Sequence, residues 1–206
     1  PLLTLGSVAY RKAHGGERSR TGEPLPEWRE AYDADVAALV DQYPADLGVL
    51  AGYMLIFTAA FADTHPLVNL HPALPGGPIG TYIEVIRELI RTDATESGVM
   101  LNVAIPEVDM GPAVAFMRYP IRGPRFDEHW DAHWAAIPAG ATDETLDGTP
   151  LFEAIRTEQV RHESPFLVAA LEAFASGVAT ITEGRIVTLA APLDLTAAVE
   201  ARLDNE

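Results

Sequence analysis

Cysteine is absent from this 206-residue chain, which removes disulfides, thiolate nucleophiles and thiolate-bound zinc from consideration. Positive charge is scarce. Fourteen Lys and Arg stand against 30 Asp and Glu, for a formal net charge of −16. That balance argues against a nucleic-acid surface, since phosphate binding needs clustered Lys and Arg. It argues equally against docking on anionic lipid. A small anionic substrate stays open, because a few local arginines or a helix N-terminus can hold one phosphate. No apolar run approaches the ~20 residues that span a bilayer, and the start carries no signal-peptide pattern. The expectation is a cytoplasmic protein whose partners are small molecules, with no nucleic acid and no membrane.

What is present is apolar enough to fold, at 48% hydrophobic residues, so disorder is not the global answer. Pro1 to Leu5 reads as a buried strand, and a chain opening in mid-strand leads one to expect a further segment upstream. Residues 14–26 form a Gly/Pro loop. Trp28, Tyr32, Val36, Leu39, Val40 and Tyr43 recur at helical spacing, predicting an amphipathic helix over 27–43 that Pro44 ends. Leu47 to Ala51 is a short continuous apolar run, the mark of a buried parallel strand. A short helix over 57–63 precedes a strand at Leu67 to Leu70, closed by His71-Pro72. A rigid loop over 72–80 leads into a helix from Tyr82 to Arg91.

Val99 to Ile105 and Ala113 to Ile121 read as two further strands. Helices over 126–136 and 149–176 follow, the second stopped by Gly177. Val178 to Ile181 and Arg185 to Ala190 suggest a hairpin, and the last residues a short helix or loose tail. Strands alternating with helices imply an α/β fold with a mostly parallel twisted sheet. The later strands, lacking helices between them, suggest an antiparallel edge. One domain is expected over 1–206: strand and loop (1–26), catalytic core (27–125), then C-terminal helices and hairpin (126–206).

The chemistry-bearing residues sit where such sheets bind ligands, at the carboxyl ends of strands. Asn69 and His71 are two apart, so on an extended backbone both side chains point the same way. The Pro/Gly loop behind them stiffens the rim. Downstream, after the next strand, comes Asp109-Met110-Gly111-Pro112. Taken singly, Asn69 and His71 could be a strand-end turn and Asp109 an ordinary turn aspartate. The combination is far more specific than its parts.

The order Gly-[Phe/Tyr]-Met, short helix, Asn-x-His-Pro-[Ser/Ala]-Leu and Asp-x-Gly-Pro resembles the folate-dependent formyltransferases of the glycinamide ribonucleotide transformylase type. It is carried here by Gly52-Tyr53-Met54, Asn69 to Leu74 and Asp109 to Pro112. Arg29 to Asp33 also looks like the family's helix before that first strand. The resemblance runs from about residue 27 to about residue 177. It implies a Rossmann-like formyltransferase fold that lacks here its N-terminal strand and Gly/Ser/Asn phosphate loop. It implies transfer of a formyl group from 10-formyltetrahydrofolate, as co-substrate, to a primary amine such as glycinamide ribonucleotide in purine biosynthesis. No metal is expected, and the resemblance admits a homodimer.

Carried over residue by residue, the resemblance makes Asn69, His71 and Asp109 catalytic. Asn69 and a protonated His71 would stabilise the oxyanion formed when the amine attacks the formyl carbon. Asp109 would move the proton, through water. The folate ring would lie against Met54, Leu55, Ile56, Phe57, Ala62, Ile105 and Val108. The acceptor would meet Met54, Leu70, Pro72 and Glu163. Leu55 stands where the family often has Arg, and Asn102 where the best-known members have His. Arg18 or Arg20 could supply positive charge from the loop in place of the missing cradle. Two rivals remain: a 10-formyltetrahydrofolate hydrolase using the same three residues, and a non-catalytic relative that binds folate or a partner.

Other motifs carry blander meanings. His129 and His133 have a zinc spacing, but the glutamate of His-Glu-x-x-His is missing, and the Phe126, Trp130, Trp134 stripe looks like packing. Gly76 to Gly80 lacks nucleotide-loop spacing, and its prolines remove the amide donors such a loop needs.

Overall fold

The computed structural model describes residues 2–18, 24–62, 64–105, 110–136, 145–182, 185–187 and 191–205. The chain divides into two compact units. The first is 1–69 with 103–111 and 181–187; the second is 70–102 with 112–180 and 188–206.

In the first unit, α1 (Ser7–Ala13) and α2 (Trp28–Val40) are followed by β1 (Gly48–Leu50) and α3 (Ala59–Ala62). β2 (Leu67–His71) begins here, and it pairs parallel to β1 with Leu50 opposite Asn69. The core gathers Ala37, Phe57, Phe61 and Leu67, with Val36, Val40, Leu50, Tyr53, Ala62 and Ala104 packed against them. The helical stripe predicted over 27–43 thus buries one face of α2 against α3 and the β1–β2 pair.

The strand expected over 1–5 is not formed. Leu2 is 91% exposed, and residues 2–6 are neither helix nor strand. The Leu5 carbonyl accepts from the Tyr32 hydroxyl at 2.9 Å instead of from a neighbouring strand. The chain then enters α1, a helix with no buried residue. Tyr10 ties α1 to α2, stacking on His14, meeting Tyr32 edge-on and donating to Asp35 at 2.9 Å.

In the second unit, α4 (Tyr82–Arg91) occupies the predicted residues. Its start is fixed by a capping box: the Thr81 amide donates to Glu84 at 2.6 Å, and the Glu84 amide donates to the Thr81 hydroxyl at 3.3 Å. Val85, Ile86, Leu89 and Ile90 are its buried face. β3 (Glu96–Val103) and β4 (Ala113–Pro120) pair antiparallel, with a bulge between Leu101 and Asn102. α5 (Asp127–Ala136) and α6 (Pro150–Ala175) follow, and α6 packs on α4, α5 and β4.

β5 (Thr180–Thr182) and β6 (Arg185–Val187) make the expected two-stranded hairpin. The final segment adds a strand the sequence did not announce. β7 (Leu193–Asp194) pairs parallel to β4 before α7 (Thr196–Leu203), so β4 has an antiparallel neighbour on one side and a parallel one on the other. The result is an α/β fold with a mixed, mostly parallel open sheet and flanking helices. Among the described residues, no helix is long and apolar enough to cross a membrane.

Candidate active site

Asn69 lies opposite Leu50, at the carboxyl end of two parallel strands, where the dipoles and loops of an open α/β sheet favour ligand binding. From the end of β1 the chain turns through Gly52, whose φ of +68° suits glycine. It then runs along residues 53–58 into α3. Met54 is 66% exposed, while Leu55 and Ile56 are half-buried and Phe57 is buried. Tyr53 stacks face to face on Phe57, with ring centroids 4.4 Å apart. Of the residues assigned to the folate ring, Phe57 and Ala62 share one apolar cluster with Ala104, and Ile105 is half-buried beside it in sequence.

Two residues given no role above hold this segment. Arg29 and Asp33 on α2 form an ion pair at 3.2 Å with both side chains fully buried. The Arg29 guanidinium also donates to the Ile56 carbonyl at 2.7 Å. The Asp33 carboxylate accepts from the Thr58 amide at 2.7 Å. The sequence signals were an acid four residues after a base on a helix with an aromatic stripe, and the likeness of Arg29 to Asp33 to the family's helix.

In the second unit His71 is 5% exposed, and its Nε2 lies 2.9 Å from the Pro78 carbonyl. A carbonyl only accepts, so Nε2 carries the hydrogen of that bond. Leu70 and Pro72, on either side, are half-buried. Glu163 accepts from Arg156 at 3.2 Å and Gln159 at 3.1 Å, so its carboxylate is engaged along its own helix.

Asp109 and Val108 lie outside the described residues, as does Arg20; Arg18 is exposed. The approach to Asp109 is fixed at two points. The Ala104 amide donates to the Leu67 carbonyl at 2.9 Å, at the start of β2. Gly111 returns against the Val103 carbonyl and the Ile105 side chain, where a Cβ would collide. That approach explains the glycine in the Asp-x-Gly-Pro motif. Asn102, on the β3 bulge, is 1% exposed.

The α5 histidines do not make a metal centre: among the described residues no group of three or more His, Asp or Glu gathers in a way that could hold an ion. His133 is 6% exposed, and its ring meets Trp130 and Trp134 edge-on. Burial lowers its pKa below the usual 6.5.

A family model described as formyl transferase matches residues 13–127, more than half of the chain, and the chain belongs to that family. It is similar to the phosphoribosylglycinamide formyltransferase of Dictyostelium discoideum, 33% identical over 109 residues that cover 48% of this chain and 53% of that protein. The enzyme of the same name from Escherichia coli K12 is 32% identical over 95 residues, covering 45% of this chain and 44% of the relative. The chain thus spans about half the length of the curated relatives it matches. A solved formyltetrahydrofolate deformylase from Pseudomonas syringae pv. tomato superposes with a TM-score of 0.51 over 78% of this chain and 45% of that one; at 18% identity the likeness is one of fold.

Proposed function

We propose that this chain serves transfer of a formyl group from 10-formyltetrahydrofolate to the amine of glycinamide ribonucleotide, a step of purine synthesis. The observation that carries the reading is the Asn69-Leu70-His71-Pro72 motif on the exit of β2, within a region shared with proteins named phosphoribosylglycinamide formyltransferase. In this reading the Asn69 amide donates to the formyl oxygen as charge develops on it. His71 adds a second hydrogen bond to the same oxygen. One such donor typically lowers the barrier by ~3 kcal/mol. Asp109 takes the proton that the attacking ammonium must lose, and the folate nitrogen gains a proton as its bond to the formyl carbon breaks and tetrahydrofolate leaves.

The segment after β1 suits the co-substrate. An exposed Met54, half-buried Leu55 and Ile56, and a backbone leaving a strand end offer an apolar floor and hydrogen-bonding edges to a planar heteroaromatic ring. The acceptor would approach from Leu70, Pro72 and Glu163, the last by exchanging one of its intrahelical bonds for a substrate hydroxyl.

The test is release of tetrahydrofolate from 10-formyltetrahydrofolate, followed with and without glycinamide ribonucleotide. Release that requires the ribonucleotide supports transfer. Release at the same rate without it identifies a hydrolase, and tetrahydrofolate binding without any release identifies a non-catalytic folate-binding chain.

A further inference from the structure

A fully buried charge pair is a costly way to stabilise a helix, because desolvation offsets most of the attraction. Arg29 and Asp33 both lie on α2 with fully buried side chains. Arg29 also packs over the Trp28 ring, 5.3 Å from its centroid, and the hydrogen bonds the pair makes to other described residues go to one stretch of chain. Arg29 Nη2 donates to the Ile56 carbonyl, and Asp33 Oδ2 accepts from the Thr58 amide. Tyr53 belongs to the same stretch. Its hydroxyl is buried beside the Arg29 guanidinium, and its ring is stacked on Phe57. Residues 56 and 58 are therefore each tied to the same two side chains, and residue 53 is joined to residue 57 by ring stacking. Between Tyr53 and Ile56, Met54 is left 66% exposed and Leu55 half-buried.

We infer that Arg29 and Asp33 are positioning residues for the co-substrate: they fix the backbone of 53–58 in the one shape that presents Met54 to Phe57 to the folate ring. The inference rests on the folate reading given above. The physical reason is preorganisation. A segment of several residues with no helix or strand of its own would otherwise lose conformational freedom on binding, at a cost in affinity. A buried pair spends that freedom during folding. Its two members supply what the segment lacks, a donor for a carbonyl and an acceptor for an amide.

The experiment separates positioning from mere stability. In the double variant Arg29→Met/Asp33→Leu the charges leave together, so no uncompensated ion stays buried and the fold is retained. Arg29→Lys keeps a cation for Asp33 but cannot reach both the carboxylate and the Ile56 carbonyl. Tetrahydrofolate is titrated onto the 206-residue chain by intrinsic fluorescence, alongside Tm and the KM for glycinamide ribonucleotide. In each variant that melts like wild type, tetrahydrofolate Kd should rise about tenfold or more. The KM of the ribonucleotide should shift by less than about twofold.

Wild-type tetrahydrofolate affinity in either well-folded variant overturns the inference, leaving the pair a structural one. Equal losses for folate and ribonucleotide overturn it as well. A wild-type chain that binds no tetrahydrofolate overturns the folate reading itself, and the inference with it; the wild-type titration tells the two failures apart. Should the double variant not fold, Arg29→Lys alone decides.

Discussion

His71 Nε2 and the carbonyl oxygen of Pro78 are 2.9 Å apart, so the loop that follows β2 closes on the imidazole at its head. That bond gives His71 two separable jobs. One is to anchor the loop through Nε2; the other, under the proposed reaction, is to meet the negative charge that develops on the formyl oxygen. His71→Ala removes both and should lower turnover by about two to four orders of magnitude. It should also lower stability, because a buried acceptor loses its donor, by about 1–3 kcal/mol. His71→Gln places an amide NH2 where Nε2 stands. It should return most of the stability and little of the turnover. Denaturant midpoints and turnover of the two variants check this, and a fully active His71→Gln sinks the catalytic role.

Asn69 and Asp109 are expected to act on the barrier rather than on binding. Asn69→Ala should reduce kcat by about 10² to 10³, with the KM for the folate changed little. Asp109→Asn should do the same and in addition flatten the acid limb of the rate profile, since the acceptor of the proton is gone. Steady-state kinetics over pH measure both. Normal kcat with a raised KM would assign these residues to uniform binding instead.

Gly111 marks how closely the segment after Asp109 is packed. A Cβ there would run into the Val103 carbonyl and the Ile105 side chain. Gly111→Ala must therefore push the 110–112 backbone away from the end of β3, and overpacking of this kind typically costs about 1–3 kcal/mol. Because the displaced stretch leads directly to Asp109, turnover should fall by more than the lost stability explains. Comparison of kcat at a temperature where the variant is fully folded tests this.

The legible part of this fold is the part with period or punctuation. α4 was legible to the residue because Thr81 and Glu84 cap a clean apolar stripe. β2 was legible because its apolar run ends in a histidine and a proline. α1 was not, since it buries no side chain and depends on Tyr10 meeting Tyr32 and Asp35, contacts that exist only once α2 is in place. β7 spans two residues, too few to show any alternation, and owes its pairing to β4. Within the candidate site, Asn69, His71 and Asp109 stood out by motif. Arg29 to Asp33 stood out as resembling the family's helix, but the role of the two charges shows only where the segment after β1 bonds to them.

The capping box of α4 carries a pH signature. The Thr81 amide and hydroxyl hold the Glu84 carboxyl below its usual 4.5. A depressed carboxylate stabilises above its unfolded value and loses that contribution as the pH falls through the folded one. Stability should thus decline with acidification below about 4.5 in part through Glu84. Thr81→Ala should cost about 1 kcal/mol at neutral pH. Glu84→Gln should remove this share of the acid dependence. Urea midpoints at neutral and acidic pH measure both effects, and an unchanged acid slope in Glu84→Gln contradicts the assignment.

His133 gives the opposite type of group in a different window. Its ring is buried against Trp130 and Trp134, and desolvation lowers its pKa below the usual 6.5. Among the described residues, neither ring nitrogen has a hydrogen-bond partner. The unfolded chain therefore takes up the proton first as the solution is acidified. The stabilisation is complete above about pH 6.5 and is lost between that value and the folded one. His133→Phe keeps the aromatic packing and has nothing to protonate. Its Tm should match or exceed wild type and should lose the decline that wild type shows just below pH 6.5. An identical decline in the variant would mean that another group governs this range and that the imidazole is not held neutral by its surroundings.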